Sequence, residues 1–226
     1  MTFPLAVAAL VLTLLLLAVW AKLREARRAE FIRSYSLPPG LYARLQKRRP
    51  ELTVKDCQLV GRALRQFFLA YLKGGRQFVS MPSQAADDLW HELILYTRHY
   101  ELFCRRAFGR FLHHTPAVVL GRNRQDNAGL RRCWWFACRE ENIDPRKPTR
   151  LPLLFALDAK LGVADGFRYT PDCSALRRSD GSSGTRYCGG DFGDASIDGT
   201  TDGFGDGGGG DGSGDGGGCG GGCGGD

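Results

Sequence analysis

The pattern of apolar and polar positions divides the chain into an apolar N-terminal run, a middle with helical periodicity and a polar C-terminal segment. Residues 3–21 include no charged side chain. A helix of that length spans about 28 Å at about 1.5 Å per residue, close to the thickness of a bilayer core. The run therefore predicts a transmembrane helix over residues 3–21. The alternative, a cleaved signal peptide, needs basic residues before the run, whereas here they follow it.

The middle of the chain repeats apolar residues at helical spacing, and almost none of it alternates as a strand does. Thr53, with Asp56 three residues later, is typical of a capped helix start. We predict four long helices, and a short one through Leu41 and Leu45. The long helices are expected at Thr53–Lys73, Pro82–Ala107, Asn127–Glu141 and Leu151–Leu161.

These elements predict a mainly α protein with a compact helical domain over residues 45–175. Residues 22–44 are interpreted as a basic juxtamembrane segment, itself helical up to Ser34, and a linker. In the third predicted helix Leu130, Cys133, Trp134 and Ala137 face the core. The apolar stripe of the first long helix consists of Cys57, Val60, Leu64, Phe67, Phe68 and Tyr71. The core face of the second consists of Ala86, Leu89, Leu93, Tyr100, Phe103, Cys104 and Ala107, with Tyr96 among them.

Residues 180–226 hold 22 of the 31 glycines and nine aspartates, with little to bury. This composition predicts a disordered, glycine-rich, acidic tail. Calcium-binding nonapeptide repeats also contain Asp and Gly, but they need a large apolar residue in every turn, which this segment lacks. Cys219 and Cys223 are expected to be free thiols.

The net charge of +7 combines a tail of −8 with a body of +15 over residues 1–179. A basic body beside a bilayer is attracted to anionic lipid, so the lipid bilayer is the first expected partner. Nucleic-acid binding is disfavoured, because the aromatic residues fall at helical spacing and zinc-finger spacing is absent.

Lys22, Arg24, Arg27 and Arg28 follow the apolar run directly, and basic flanks stay on the cytoplasmic side. This pattern predicts a single-pass plasma-membrane protein with its N-terminus outside and its domain and tail in the cytoplasm. In that compartment the cysteines should be reduced, mostly as small core residues. The cysteines concerned are Cys57, Cys104, Cys133, Cys138 and Cys173.

Asp87 and His91 are four residues apart, so they meet across one turn of the predicted helix, on the side away from its core face. A carboxylate there orients the imidazole and raises its basicity. With Asp88, and with His113 and His114 beyond the helix end, the pair forms a candidate divalent-metal cluster. A structural hydrogen bond and acid–base catalysis are the other two interpretations.

Known catalytic motifs, including His-Glu-x-x-His and the P-loop, are absent from the sequence. We therefore assign no catalytic residue, name no cofactor beyond a candidate divalent metal, and do not expect an enzyme.

The stretch from Asp87 through Trp90-His91 to Tyr100 and Cys104 resembles bacterial relatives of the glycine-rich domain-containing protein family. That family carries an acidic–x–x–Trp–His signature on a helix, followed by Tyr and Cys. The resemblance covers about residues 50–175 and implies a helical fold without naming a reaction. Leu93 stands where plant members typically have a second histidine.

Two hypotheses of function follow. The first is a membrane-anchored, cytoplasmic helical module that binds a protein partner of unknown identity, without catalysis. The alternative is a divalent-metal-binding helical domain, or a metal-dependent enzyme, centred on His91. Convergence of the candidate ligands to within about 5 Å would favour the alternative, since metal–ligand bonds are about 2.0–2.2 Å long.

Overall fold

A computed structural model describes residues 2–114, 128–171 and 187–188. This part of the chain holds seven helices and one pair of two-residue strands, which confirms a mainly helical protein. The helices are α1 (Thr2–Ser34), α2 (Leu41–Arg48), α3 (Val54–Lys73), α4 (Gln84–Leu95), α5 (Thr97–Ala107), α6 (Ala128–Glu140) and α7 (Leu153–Lys160). The strands β1 (Tyr169–Thr170) and β2 (Tyr187–Cys188) pair in parallel.

Helix α1 runs without a break from the apolar run into the domain. Within the described chain it is the one helix long and apolar enough to cross a membrane, with a mean hydropathy of 2.5. A signal sequence near an N-terminus has the same length and composition. The far end of α1 is different in kind, because Ala29 and Ile32 are buried in the domain core. The core therefore starts before residue 45, within the segment interpreted as a juxtamembrane linker.

Helix α3 lies at the centre and packs against α1, α2, α4, α6 and α7. Its start is the predicted capping box, in which the Thr53 side chain accepts from the amide of Asp56 and the Asp56 carboxylate accepts from the amide of Thr53. All six residues of the predicted apolar stripe are buried. Each large side chain removed from water contributes roughly 1.5–3 kcal/mol, so α3 supplies much of the driving force for folding.

The second long helix was predicted as one element, and that prediction is wrong, because the chain bends at Tyr96 between α4 and α5. Tyr96 has φ −81° and ψ 56°, outside the helical region. Its hydroxyl donates to the carbonyl of Pro39 at 3.2 Å, and the fixed ring is consistent with the bend. The predicted core face survives, since Leu93 before the bend and Tyr100 after it are both buried.

Helices α6 and α7 lie within one or two residues of their predicted bounds. Buried Trp134 donates from Nε1 to the carbonyl of Pro145 at 3.0 Å, which fixes the turn after α6. The cysteines Cys57, Cys104, Cys133 and Cys138 are buried and free.

Several predictions fall on residues that the structure leaves undescribed. Cys173 and the tail cysteines Cys219 and Cys223 lie outside the described residues, as does nearly all of residues 180–226. Of that predicted disordered tail, the structure describes residues 187–188, which form β2.

Candidate functional site

Helix α4 carries the candidate residues Asp87 and His91. The buried carboxylate of Asp158 accepts hydrogen bonds from the first turn of α4. The Asp158 side chain accepts hydrogen bonds from the amides of Gln84 and Ala85 at 2.7 and 3.1 Å. It also accepts from the hydroxyl of Ser83 at 2.7 Å. A negative charge at a helix N-terminus is favourable, so this contact sets where α4 begins and where Asp87 points.

Asp87 is the shared neighbour of two histidines. Its Oδ1 lies 2.9 Å from Nε2 of His114, and its Oδ2 lies 3.4 Å from Nδ1 of His91. The two imidazole rings are 4.2 Å apart between centroids. One ligand atom from each of the three side chains lies within 4.8 Å of the others. We call Asp87, His91 and His114 the triad.

The triad holds a polar atom without a partner. Nδ1 of His91 is buried, and its contact with Asp87 lies outside hydrogen-bond geometry. A buried nitrogen without a hydrogen bond costs free energy, on the order of 1–3 kcal/mol. The side chains of Asp87 and His114 are 20% and 13% exposed. The side chain of His91 is 38% exposed, so the triad as a whole is half-buried.

An aromatic hydrogen-bond chain fixes the segment that carries His114. Trp90 donates from Nε1 to the hydroxyl of Tyr100 at 3.1 Å, and that hydroxyl donates to the carbonyl of Leu112 at 2.6 Å. Burial raises the pKa of Tyr100, so its hydroxyl stays protonated and able to donate. The Trp90 ring also contacts the His114 ring edge-on, at 4.6 Å.

Two members of the triad, Asp87 and His114, border a cavity of about 110 Å³ with largely apolar walls. Asp87 and His114 contribute to its polar side, and Phe67, Trp90 and Leu112 contribute to its apolar side. That volume suits a small ligand or the end of a larger one.

Asp88 lies outside the triad, although it was among the predicted ligands. It is 1% exposed, and its carboxylate binds Nε of Arg49 at 2.5 Å and Nε of Arg48 at 2.9 Å. Arg49 continues to Asp165 through two hydrogen bonds of 2.8 Å each. The hydrogen bonds to Asp165 and to Asp88, with the charges of these two carboxylates, outweigh the lowering effect of burial and leave the pKa of Arg49 above its ordinary value. Asp88 is therefore committed to joining α2, α4 and the segment after α7.

His113 also lies outside the triad. Its side chain is exposed and its ring lies 4.8 Å from that of Phe111, at the rim of the cavity. Residues 111–114 alternate between exposed and enclosed positions, with Leu112 and His114 turned inward. This alternation separates the two adjacent histidines. Neither the alternation nor the apolar cavity was predicted from the sequence.

Comparison with known proteins corrects the resemblance drawn from the Trp-His motif. A family model described as UCP032817-like matches residues 27–192, which is most of the chain. The assignment to relatives of the glycine-rich domain-containing protein family is therefore wrong. No curated protein and no solved structure matches the chain. The match begins in α1 after the apolar run and covers the whole helical domain, and by its extent the chain belongs to the UCP032817-like family.

Proposed function

We propose that this chain is a membrane-anchored helical domain that binds one divalent transition-metal ion through Asp87, His91 and His114. The observation that carries the proposal is the convergence of these three side chains around a buried nitrogen of His91 that lacks a hydrogen bond. A metal ion supplies the missing partner. Neither a structural role for Asp87 and His114 nor their ion pair accounts for that nitrogen.

The distances suit a transition metal with little rearrangement. In a tetrahedral zinc site with bonds of about 2.0–2.2 Å, neighbouring ligand atoms lie about 3.3–3.6 Å apart. The separation of 3.4 Å between Asp87 and His91 falls in this range, and the separation of 2.9 Å between Asp87 and His114 is shorter. Two imidazoles and one carboxylate favour Zn²⁺, Fe²⁺ or Ni²⁺ over Ca²⁺ or Mg²⁺, which prefer oxygen ligands.

The surroundings resemble the support that metal ligands generally need. The Trp90 ring and the Tyr100 hydroxyl hold the His114 segment in place, and the apolar cavity wall limits access of water. Such outer contacts orient the ligands and strengthen the electrostatic attraction of the ion. We propose metal binding alone and assign none of the described groups a step in a reaction.

The anchor and its orientation belong to the same proposal. We take α1 as an uncleaved span, with the basic residues Lys22 to Arg28 on the cytoplasmic side. The domain and tail then lie in the cytoplasm. Protease treatment of intact spheroplasts tests this orientation, since a C-terminal tag should survive until the cells are broken. Digestion of the tag in intact spheroplasts contradicts the assignment. The protein partner foreseen from the sequence stays a prediction.

Metal binding is tested by elemental analysis of the full chain, purified in detergent with its affinity tag removed and then dialysed against Zn²⁺. We expect about one equivalent of zinc. Replacing His91 or His114 by Ala should weaken affinity by at least about ten-fold, because each removes a ligand.

His113→Ala is the matched control, since it removes the exposed neighbour of a triad residue. It should retain full metal content, and circular dichroism should report equal helicity for all variants. Absence of stoichiometric metal in the unaltered chain, or equal content in His91→Ala, refutes the proposal.

A further inference from the structure

A group of arginines without carboxylate partners surrounds the point where α1 enters the domain. Arg28 donates from Nη1 to the carbonyl of Phe108 at 3.1 Å. Partial burial of its guanidinium lowers the pKa of Arg28, and the nearby charges of Arg24 and Arg76 lower it further. Arg110 donates to the carbonyl of Arg76. We call Arg24, Arg28, Arg76 and Arg110 the arginine collar.

The collar is a concentration of uncompensated charge. Among the described residues, none of its four members forms an ion pair, whereas Arg33, Arg44 and Arg49 elsewhere in the domain all do. Nε of Arg76 is buried without a hydrogen-bond partner. Like charges held together repel one another, so an anion that bridges them would be strongly attracted.

The direction of the helices places the collar at the end of the domain nearest the apolar run. Tyr35 and Phe103 are in ring contact at 4.6 Å, while Arg28 reaches Phe108, so α1 and α5 run antiparallel. As α1 leaves the apolar run, α5 returns toward it and ends beside Arg110. Arg24 and Arg28 follow Ala21 by three and seven residues, or about 4.5 and 10 Å along the helix.

That height matches the polar layer of a bilayer. The headgroup region adds about 5–8 Å to each side of the hydrocarbon core, and an arginine side chain can reach several ångströms further. Two exposed aromatic side chains lie beside the collar, Phe78 at 47% and Phe111 at 42% exposure. With Arg76 and Arg110 they line one shallow depression. Cationic side chains mixed with exposed aromatics are typical of surfaces that rest on a membrane.

From this arrangement we infer that the arginine collar binds the phosphate groups of anionic lipids, with Phe78 and Phe111 resting against the same leaflet. The inference rests on the proposed membrane anchor and is independent of the proposed metal site. The anchor provides proximity, and the collar would fix which face of the domain touches the bilayer.

The test uses the full chain in nanodiscs of phosphatidylcholine alone and in nanodiscs with roughly one third phosphatidylglycerol. Hydrogen exchange is followed in the backbone segments 74–80 and 106–112. We expect exchange in both segments to slow by roughly three-fold or more in the anionic discs, and the difference to shrink at about 1 M salt, where charges are screened.

The double variant Arg76→Gln with Arg110→Gln should lose this lipid dependence. The matched control is Arg62→Gln with Arg98→Gln, which removes the same charge from exposed positions in the middle of α3 and at the far end of α5. The control should behave like the unaltered chain, because those positions lie more than one helical turn further from the bilayer.

The outcomes separate the anchor from the collar. A chain that does not co-purify with discs of either composition overturns the anchor and the collar together. A chain that inserts but exchanges equally in both discs overturns the collar alone. Equal protection by free inorganic phosphate in the neutral discs overturns a lipid ligand, and loss of lipid dependence in the control variant overturns the assignment to these arginines.

Discussion

Replacing Asp158 by Ala should lower the free energy of unfolding more than Asp56→Ala or Glu140→Gln. Asp158 is 1% exposed, and its two oxygens accept four hydrogen bonds. Three of the donors are backbone amides, those of Gln84, Ala85 and Phe167. The variant removes the partner of all three amides, of which that of Ala85 is buried and the other two are half-buried.

The magnitude follows from those donors. A hydrogen bond to a charged group contributes about 1.5–3 kcal/mol, and the contributions of neighbouring bonds are not additive. We expect a loss of about 4 kcal/mol in the free energy of unfolding for Asp158→Ala. Asp158→Asn keeps one acceptor oxygen and the side-chain volume, so it should lose about half as much, roughly 2 kcal/mol.

The assay is urea unfolding of the full chain in detergent, followed by fluorescence of the buried tryptophans. With a slope of about 2 kcal/mol per molar urea, Asp158→Ala should lower the midpoint by about 2 M. Asp56→Ala is the matched control, since Asp56 also caps a helix but lies at the surface. Its midpoint should shift much less.

The result also bears on the candidate site, because Asp158 holds the first turn of α4 and Asp87 follows within that turn. Fraying there should weaken zinc binding by Asp158→Asn under conditions where the protein remains folded. A midpoint shift no larger than that of Asp56→Ala would refute the reasoning about buried amide donors.

Three further predictions concern other parts of the fold. Burial raises the pKa of Glu140, but hydrogen bonds from Arg33 and Lys73 outweigh the effect of burial and leave the pKa below its ordinary value of 4.5. The ionised Glu140 therefore contributes to the free energy of unfolding above pH 4.5, and this contribution is lost as pH falls below that value. The free energy of unfolding, measured across an acid titration, should depend less on pH in Glu140→Gln. Burial raises the pKa of Cys133, so it should resist alkylation in the folded chain and react in urea, as peptide mass spectrometry would show; rapid modification without denaturant would contradict its burial. Tyr100→Phe removes the hydroxyl that donates to Leu112 and should weaken zinc affinity by several-fold, with isothermal titration calorimetry as the measurement and an unchanged affinity as the contrary result.

Local sequence patterns were enough to locate most helices. The capping box at Thr53 and the apolar stripe of α3 depend on residues three or four positions apart, which the sequence displays directly. The bend at Tyr96 has no such local cause, because residues 84–107 contain neither Gly nor Pro. The Tyr96 hydroxyl bonds to Pro39, which is 57 residues away in the sequence. Helical periodicity depends on neighbouring residues, so it could not predict this bend.

The candidate site divides in the same way. Asp87 and His91 were paired from their spacing on a helix, and the structure gives them a contact of 3.4 Å. Asp88 was grouped with them because it is adjacent in sequence. A buried aspartate needs a cationic partner, however, and Asp88 forms its ion pair with Arg49. Choosing His114 over His113 required knowing that exposed and enclosed positions alternate over residues 111–114.

Because helix α1 is uninterrupted, a tilt of its proposed membrane span would also reorient the domain. Thirteen residues separate Ala21 from Ser34, about 20 Å of stiff helix whose far end is fixed in the core through Ala29 and Ile32. A span that tilts by about 20° to suit a thinner membrane carries that far end sideways by about 7 Å. With α1 anchored as proposed, the thickness of the lipid would therefore set the inclination of the cavity mouth, and membranes of different thickness would present the same site at different angles.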